Sequence, residues 1–141
     1  MKKMILAVLI LSVTTASAQK ISANKVPAVV SKAVDQKFPD AQALKWEREN
    51  DNFEANFKDG LKNRSVLVAP SGKIMEVETA IGTASLPAKV REYVSANYKN
   101  AKIKEAAEIV QASGEMNYEA EVNGMDLLFS SKGTFIKAVK D

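Results

Sequence analysis

A shift of 60 residues lays this chain over itself, and that internal repetition limits the fold to two copies of one unit. Val26-Pro27-Ala28 aligns with Leu86-Pro87-Ala88, and Phe38-Pro39-Asp40-Ala41 with Tyr98-Lys99-Asn100-Ala101. Further along, Phe53-Glu54-Ala55 matches Tyr118-Glu119-Ala120, Asp59-Gly60 matches Asn123-Gly124, and Ser71-Gly72-Lys73-Ile74 matches Lys132-Gly133-Thr134-Phe135. The offset drifts to 65 and then to 61, so the second copy has a longer first hairpin and a shorter second one. Thr79 to Ser85, with Gly82 and two threonines, reads as the linker between copies.

Ahead of the repeats, Lys2 and Lys3 precede an apolar run from Met4 to Val13 that ends in Ala16-Ser17-Ala18. These are the three parts of a signal peptide, and the run is too short for the roughly 20 apolar residues of a membrane-spanning helix. The expected organisation is a signal peptide over 1–18, a first repeat over 19–82 and a second over 83–141, with the two repeats sharing one domain. Cleavage would leave no membrane anchor and a periplasmic or secreted chain.

Composition narrows function more than it identifies it. Setting aside Lys2 and Lys3 leaves 18 basic against 17 acidic residues, and the charge falls from +3 to +1. Basic and acidic residues are interspersed, whereas a nucleic-acid binder concentrates its basic ones, so nucleic acid is not an expected partner. Without cysteine there are no disulfides, thiolate metal sites or cysteine nucleophiles. Without histidine the commonest general base and transition-metal ligand are missing as well. The chain reads as a noncatalytic protein with no cofactor and no metal.

Within each copy the apolar spacing passes from helical to extended. Val26, Val30, Ala33 and Val34 recur at helical spacing, and Leu86, Val90, Tyr93 and Val94 repeat the register. Pro27 and Pro87 suit a first turn, and Pro39 marks a stop after Phe38. Next comes alternation: Phe53, Ala55 and Phe57 with Glu54, Asn56 and Lys58, then Tyr118, Ala120 and Val122 with Glu119 and Glu121. This is the pattern of strands with one buried face, and Asp59-Gly60 and Asn123-Gly124 are strong hairpin signals. Each copy is therefore a helix followed by four antiparallel strands, over 41–49, 52–58, 64–69 and 73–79, then 102–110, 116–122, 125–130 and 134–139.

The Leu/Val-Pro helix start, Phe38-Pro39-Asp40-Ala41, Tyr118-Glu119-Ala120-Glu121-Val122, Asn123-Gly124 and Phe129-Ser130-Ser131-Lys132-Gly133 together resemble the PepSY-like family, also called β-lactamase-inhibitor-like. Departures are Tyr98-Lys99 in place of Phe-Pro, and Val68-Ala69-Pro70-Ser71 where an aromatic and an acidic residue are usual. The resemblance implies an α+β fold in which two tandem helix-plus-four-strand repeats form one antiparallel sheet, with helices on one face and the other open. It also implies an exported binding module of the kind that inhibits or modulates an envelope or secreted enzyme, gripping a protein partner in the cell envelope with the open face.

Other constellations have simpler explanations. Glu47 and Glu49 project from one strand face, as a glycosidase pair does, but same-strand acids are usually a solvated face. Glu49-Asn50-Asp51-Asn52 offers oxygen ligands without the spacing of a calcium loop, and a hairpin turn accounts for it. Neither Ser31-Lys32 nor Ser130-Ser131-Lys132 has a surrounding catalytic motif. Trp46, sharing a face with Leu44, is expected in the core. By alternation the partner-binding positions are Glu54, Asn56, Glu119 and Glu121 on the middle strands, with Leu67, Ile74, Leu128 and Phe135 on the later ones. The alternative is a periplasmic small-ligand carrier or sensor with an apolar cavity between sheet and helices; a filled core beneath an open sheet favours the binder.

Overall fold

The computed structural model describes residues 18–140. The expected signal segment lies outside these residues except for Ala18. The element order is β1 (Gln19–Ile21), α1 (Ala28–Lys37), β2 (Gln42–Glu49), β3 (Asn52–Asp59), β4 (Lys62–Val68), β5 (Ile74–Ile81), α2 (Ala88–Asn97), β6 (Glu105–Gln111), β7 (Met116–Val122), β8 (Met125–Ser130) and β9 (Phe135–Lys140). All nine strands form one antiparallel sheet in sequence order. β1, three residues paired to β2 through Gln19–Arg48 and Ile21–Trp46, was not legible in the alternation.

Each helix starts and stops in the same way. Pro27 and Pro87 stand one residue ahead of the helices, and their carbonyls accept the first helical hydrogen bonds, from Val30 at 2.9 Å and Val90 at 3.0 Å. Phe38 and Tyr98 cap the far ends, their amides donating to Val34 and Val94. Each helix buries one apolar stripe, Val30 and Val34 or Val90 and Val94, against its own half of the sheet.

Two core clusters result. The first joins Val26, Val30, Val34, Trp46, Phe53, Ala55, Phe57, Val66 and Val68; the second joins Leu86, Val90, Val94, Ala106, Ala120, Val122, Leu127 and Phe129. The expected Trp46 and the inward sets on β3 and β7 lie here or pack against these clusters. The halves meet at the β5–β6 ladder, which runs from Glu76–Gln111 to Ile81–Ala106. Strand β5 therefore takes up Thr79, Ala80 and Ile81 from the segment expected as linker, and a 3-10 turn over Thr83–Ser85 follows.

The hairpin lengths differ as the drifting offset requires. Phe57–Arg64 is extended by the Lys58–Asn63 and Asp59–Lys62 pairs, whereas the equivalent Val122–Met125 pair closes directly on Asn123-Gly124.

Candidate binding face

Strand register assigns every side chain to the helix side or the open side. On β3, Phe53, Ala55 and Phe57 are buried under α1, so Glu54 and Asn56 face away. Their ladder partners follow: Leu67 is opposite Glu54 and Ser65 opposite Asn56. On β7, Ala120 and Val122 belong to the core, which puts Asn117, Glu119 and Glu121 on the open side, with Leu128 opposite Glu119. Thus Glu54, Asn56, Leu67, Glu119, Glu121 and Leu128 share the helix-free face. Leu67 and Leu128 occupy equivalent positions in the two repeats, each half-buried among polar neighbours.

Ile74 and Phe135 do not belong to this face. Ile74 packs against the first core and Phe135 against the second, where its ring stacks on Tyr93 at 4.6 Å. The cause is a bulge repeated in both copies. The β4–β5 register steps from Leu67–Glu76 to Val68–Ile74, and the β8–β9 register from Leu128–Lys137 to Phe129–Phe135. In each case one extra residue, Met75 or Ile136, reverses the alternation and is itself exposed. Counting by twos from Glu76 or Lys137 therefore puts the preceding apolar residue on the wrong side.

The face is acidic beyond the four polar positions expected. Strands β2 and β3 contribute Glu47, Glu49 and Glu54. Glu76 and Glu78 come from β5 and Glu105 from β6, and β7 and β8 add Glu119, Glu121 and Asp126. Glu76, Glu78, Glu105 and Asp126 escaped the alternation argument, although Glu-x-Glu recurs at Glu47/Glu49, Glu76/Glu78 and Glu119/Glu121. That recurrence is the signal that finds the face.

At its middle the open side is partly shielded. Ala107 and Ile109 are buried although no helix covers them. One cleft of about 840 Å³ includes Glu54, Glu78, Glu105, Ala107, Glu119 and Glu121, and a second of about 280 Å³ lies between Glu49, Glu54, Ser65, Leu67, Glu76 and Glu78. Ser65 Oγ donates to Glu54 Oε1 at 2.6 Å, and Lys104 Nζ donates to Glu121 Oε1 at 3.0 Å.

Crowding and burial act on the acids. Burial, reinforced by Glu76, Glu54, Asp126 and Glu105, pushes the Glu78 carboxyl from 4.5 to about 7. Glu76 is raised by burial and by Glu54, partly offset by Lys137. Glu49 is raised by burial, then by the charge of Glu54 and a hydrogen bond to it. Among the described residues no group of three or more carboxylates converges so as to hold a metal ion, and no helix is long and apolar enough to cross a membrane.

The family model described as "Putative beta-lactamase-inhibitor-like, PepSY-like" matches twice, over residues 12–75 and 64–137. The chain belongs to this PepSY-like family. Its fold recurs in the crystal structure of a BLIP-like protein from Bacteroides fragilis NCTC 9343, with 20% identity, TM-score 0.65 and coverage of 80% of this chain and 86% of that one. A "putative periplasmic" protein from Bacteroides eggerthii DSM 20697 aligns with 17% identity and TM-score 0.72 over 81% of this chain and 88% of that chain. A DUF2874 family protein from Bacteroides uniformis ATCC 8492 gives 18%, TM-score 0.71 and coverage of 80% and 88%. No curated protein matches the chain. At these identities the structures share the PepSY-like fold.

Proposed function

We propose that this PepSY-like chain is an exported, noncatalytic protein-binding module that engages a partner in the cell envelope through its open sheet face. The observation that carries the reading is the pair of equivalent leucines, Leu67 and Leu128, held half-buried among carboxylates on a face that no helix covers. Apolar anchors within a polar surround are the usual anatomy of a protein interface. The space between sheet and helices is filled, with Val30, Val34, Ala55, Val66, Val68, Val90, Ala120 and Leu127 all fully buried. That filling favours a binder over a carrier with an internal ligand cavity. Export is supported by the Lys2-Lys3 leader pattern and by the description of the B. eggerthii relative.

The reading is tested by affinity capture from the native envelope fraction, comparing the parent protein with Leu67→Arg/Leu128→Arg. The double variant should melt with the parent and lose the captured partner. Leu61→Arg, at a fully exposed turn position, should retain it. Capture unaffected by the double variant would place the working surface elsewhere.

A further inference from the structure

Of the 17 acidic residues in the sequence, the nine named above project from the open face. Its strand lysines stand at the margins, Lys20 on β1, Lys45 on β2, Lys58 at the end of β3 and Lys137 on β9, and one more, Lys104 just ahead of β6, reaches the cleft and pairs with Glu121. Between them, the open-side strand positions of β4 to β8 carry Glu76, Glu78, Glu105, Glu119, Glu121 and Asp126 and no Lys or Arg. A partly shielded cleft lined by seven carboxylates against the single Lys104 keeps a strong negative excess, which focuses its field and attracts the opposite charge.

A second observation points the same way. Asn117 is on this face, opposite Ile109 and Ser130 and two residues along β7 from Glu119. It is only 6% exposed, and its Oδ1 has no hydrogen-bond partner. A buried acceptor left unpaired is costly, and an incoming donor satisfies it. Lysine and arginine side chains are donors without acceptors, so they match both the carboxylates and this oxygen.

We propose that the open face receives a cationic, Lys/Arg-rich polypeptide segment of a partner protein. The inference rests on the open face being the working surface, and it adds the chemistry of the occupant. The charge is distributed across strands rather than gathered around one point, which suits a polycation and not a single metal ion. From β2 to β8 there are six strand spacings, about 29 Å at roughly 4.8 Å each, the span of about nine extended residues. Leu67 and Leu128 lie within that span as apolar contacts for the stems of long basic side chains.

The test is titration of the purified protein with decalysine and decaarginine, with decaglutamate and calcium chloride as controls, at low ionic strength and at about 0.15 M salt. One saturable site for the cationic peptides is expected. At about pH 8.5, above the raised Glu78 carboxyl, Glu49→Gln/Glu76→Gln/Glu78→Gln should weaken it by about tenfold or more, whereas Asp35→Asn/Asp40→Asn/Glu92→Gln, which removes equal charge from the helices and the turn after α1, should change it by less than about threefold. Asn117→Leu should weaken binding without lowering the melting temperature, since it deletes the unpaired oxygen. Equal losses in both triple variants would reduce the effect to net charge and overturn the proposal. So would decaglutamate binding as well as decalysine, or stoichiometric calcium binding that excludes the peptides. If Leu67→Arg/Leu128→Arg abolishes partner capture and neither cationic peptide binds, the face is a docking surface and the cationic occupant alone is refuted.

Discussion

The two halves of the sheet share a backbone plan and fill it with different side chains. Where the first half has Trp46 opposite Ala55, the second has Ala106 opposite Ala120. The volume lost there returns elsewhere. Val68, Ile74 and Ala33 of the first half correspond to Phe129, Phe135 and Tyr93, whose rings contact one another at 4.6–5.8 Å. The first half instead places Phe38 against Phe57 at 5.0 Å, with the Arg64 guanidinium over the Phe38 ring. A core needs correct total volume and pattern, and the position of each large residue can shift within it. What stays constant is the geometry that sets the faces: the prolines before the helices, the late bulges, and Gly72 and Gly133 ahead of them.

Truncating one anchor in each half is the strongest way to break this comparison. Phe129→Ala removes a fully buried ring and should cost about 3–5 kcal/mol, and Trp46→Ala should fall in the same range. Val68→Ala, at the position equivalent to Phe129, deletes only two methyl groups and should cost about 2 kcal/mol. Denaturant titration gives all three values. A loss at Val68 equal to that at Phe129 would show that the halves do not distribute their packing as their side chains suggest.

Most of the architecture was legible because it depends on local pattern. Alternation on β3 and β7, the Asp59-Gly60 and Asn123-Gly124 turns and the proline-led helices all report geometry within a few residues. Ile74 and Phe135 were misplaced because a bulge depends on pairing with a neighbouring strand, and neither Met75 nor Ile136 differs in type from a strand-interior residue. β1 was missed because three residues are too few to show a period. Glu78 and Asn117 were invisible as special positions because their burial arises from strands distant in sequence.

Helix docking offers a finer comparison. Gly72 and Gly133 have φ +86° and +82°, a region costly for other residues. An added Cβ at Gly72 would lie 2.9 Å from both the Val29 carbonyl oxygen and Val29 Cγ2. At Gly133 it would meet Lys89 Cβ at 2.9 Å. A Cβ at Gly72 would thus meet two atoms at 2.9 Å, one of them backbone of α1, whereas one at Gly133 would meet a single atom that close, Lys89 Cβ, which no rotamer moves. Gly72→Ala should therefore cost about 2–4 kcal/mol, combining left-handed strain with overpacking. Gly133→Ala should cost less, and Gly124→Ala, with nothing near its Cβ, about 1–2 kcal/mol from strain alone. Thermal melts that reverse this order would show that α2 is the more rigidly seated helix.

The last difference is electrostatic and concerns the seam. Glu78 lies on the last strand of the first half, opposite Ile109 of the second. After burial, the carboxylates that raise it come from both sides, Glu76 and Glu54 from one and Asp126 and Glu105 from the other. With its pKa raised from 4.5 to about 7, the folded protein holds this proton more tightly than the unfolded chain. The contribution of Glu78 is therefore most favourable below pH 4.5, declines as pH rises between 4.5 and about 7, and is flat above that. The full difference is at most about 3 kcal/mol. Glu78→Gln removes the titration, so the variant should be more stable than the parent at pH 8, and their pH-dependent difference should disappear as the parent protonates toward pH 4. Because Glu105 and Asp126 belong to the second half, Glu105→Gln/Asp126→Asn should lower the midpoint of Glu78 measured by carboxyl NMR. An unchanged midpoint would mean that burial and the first-half acids Glu76 and Glu54 hold the proton and that the acids of the two halves are electrostatically separate.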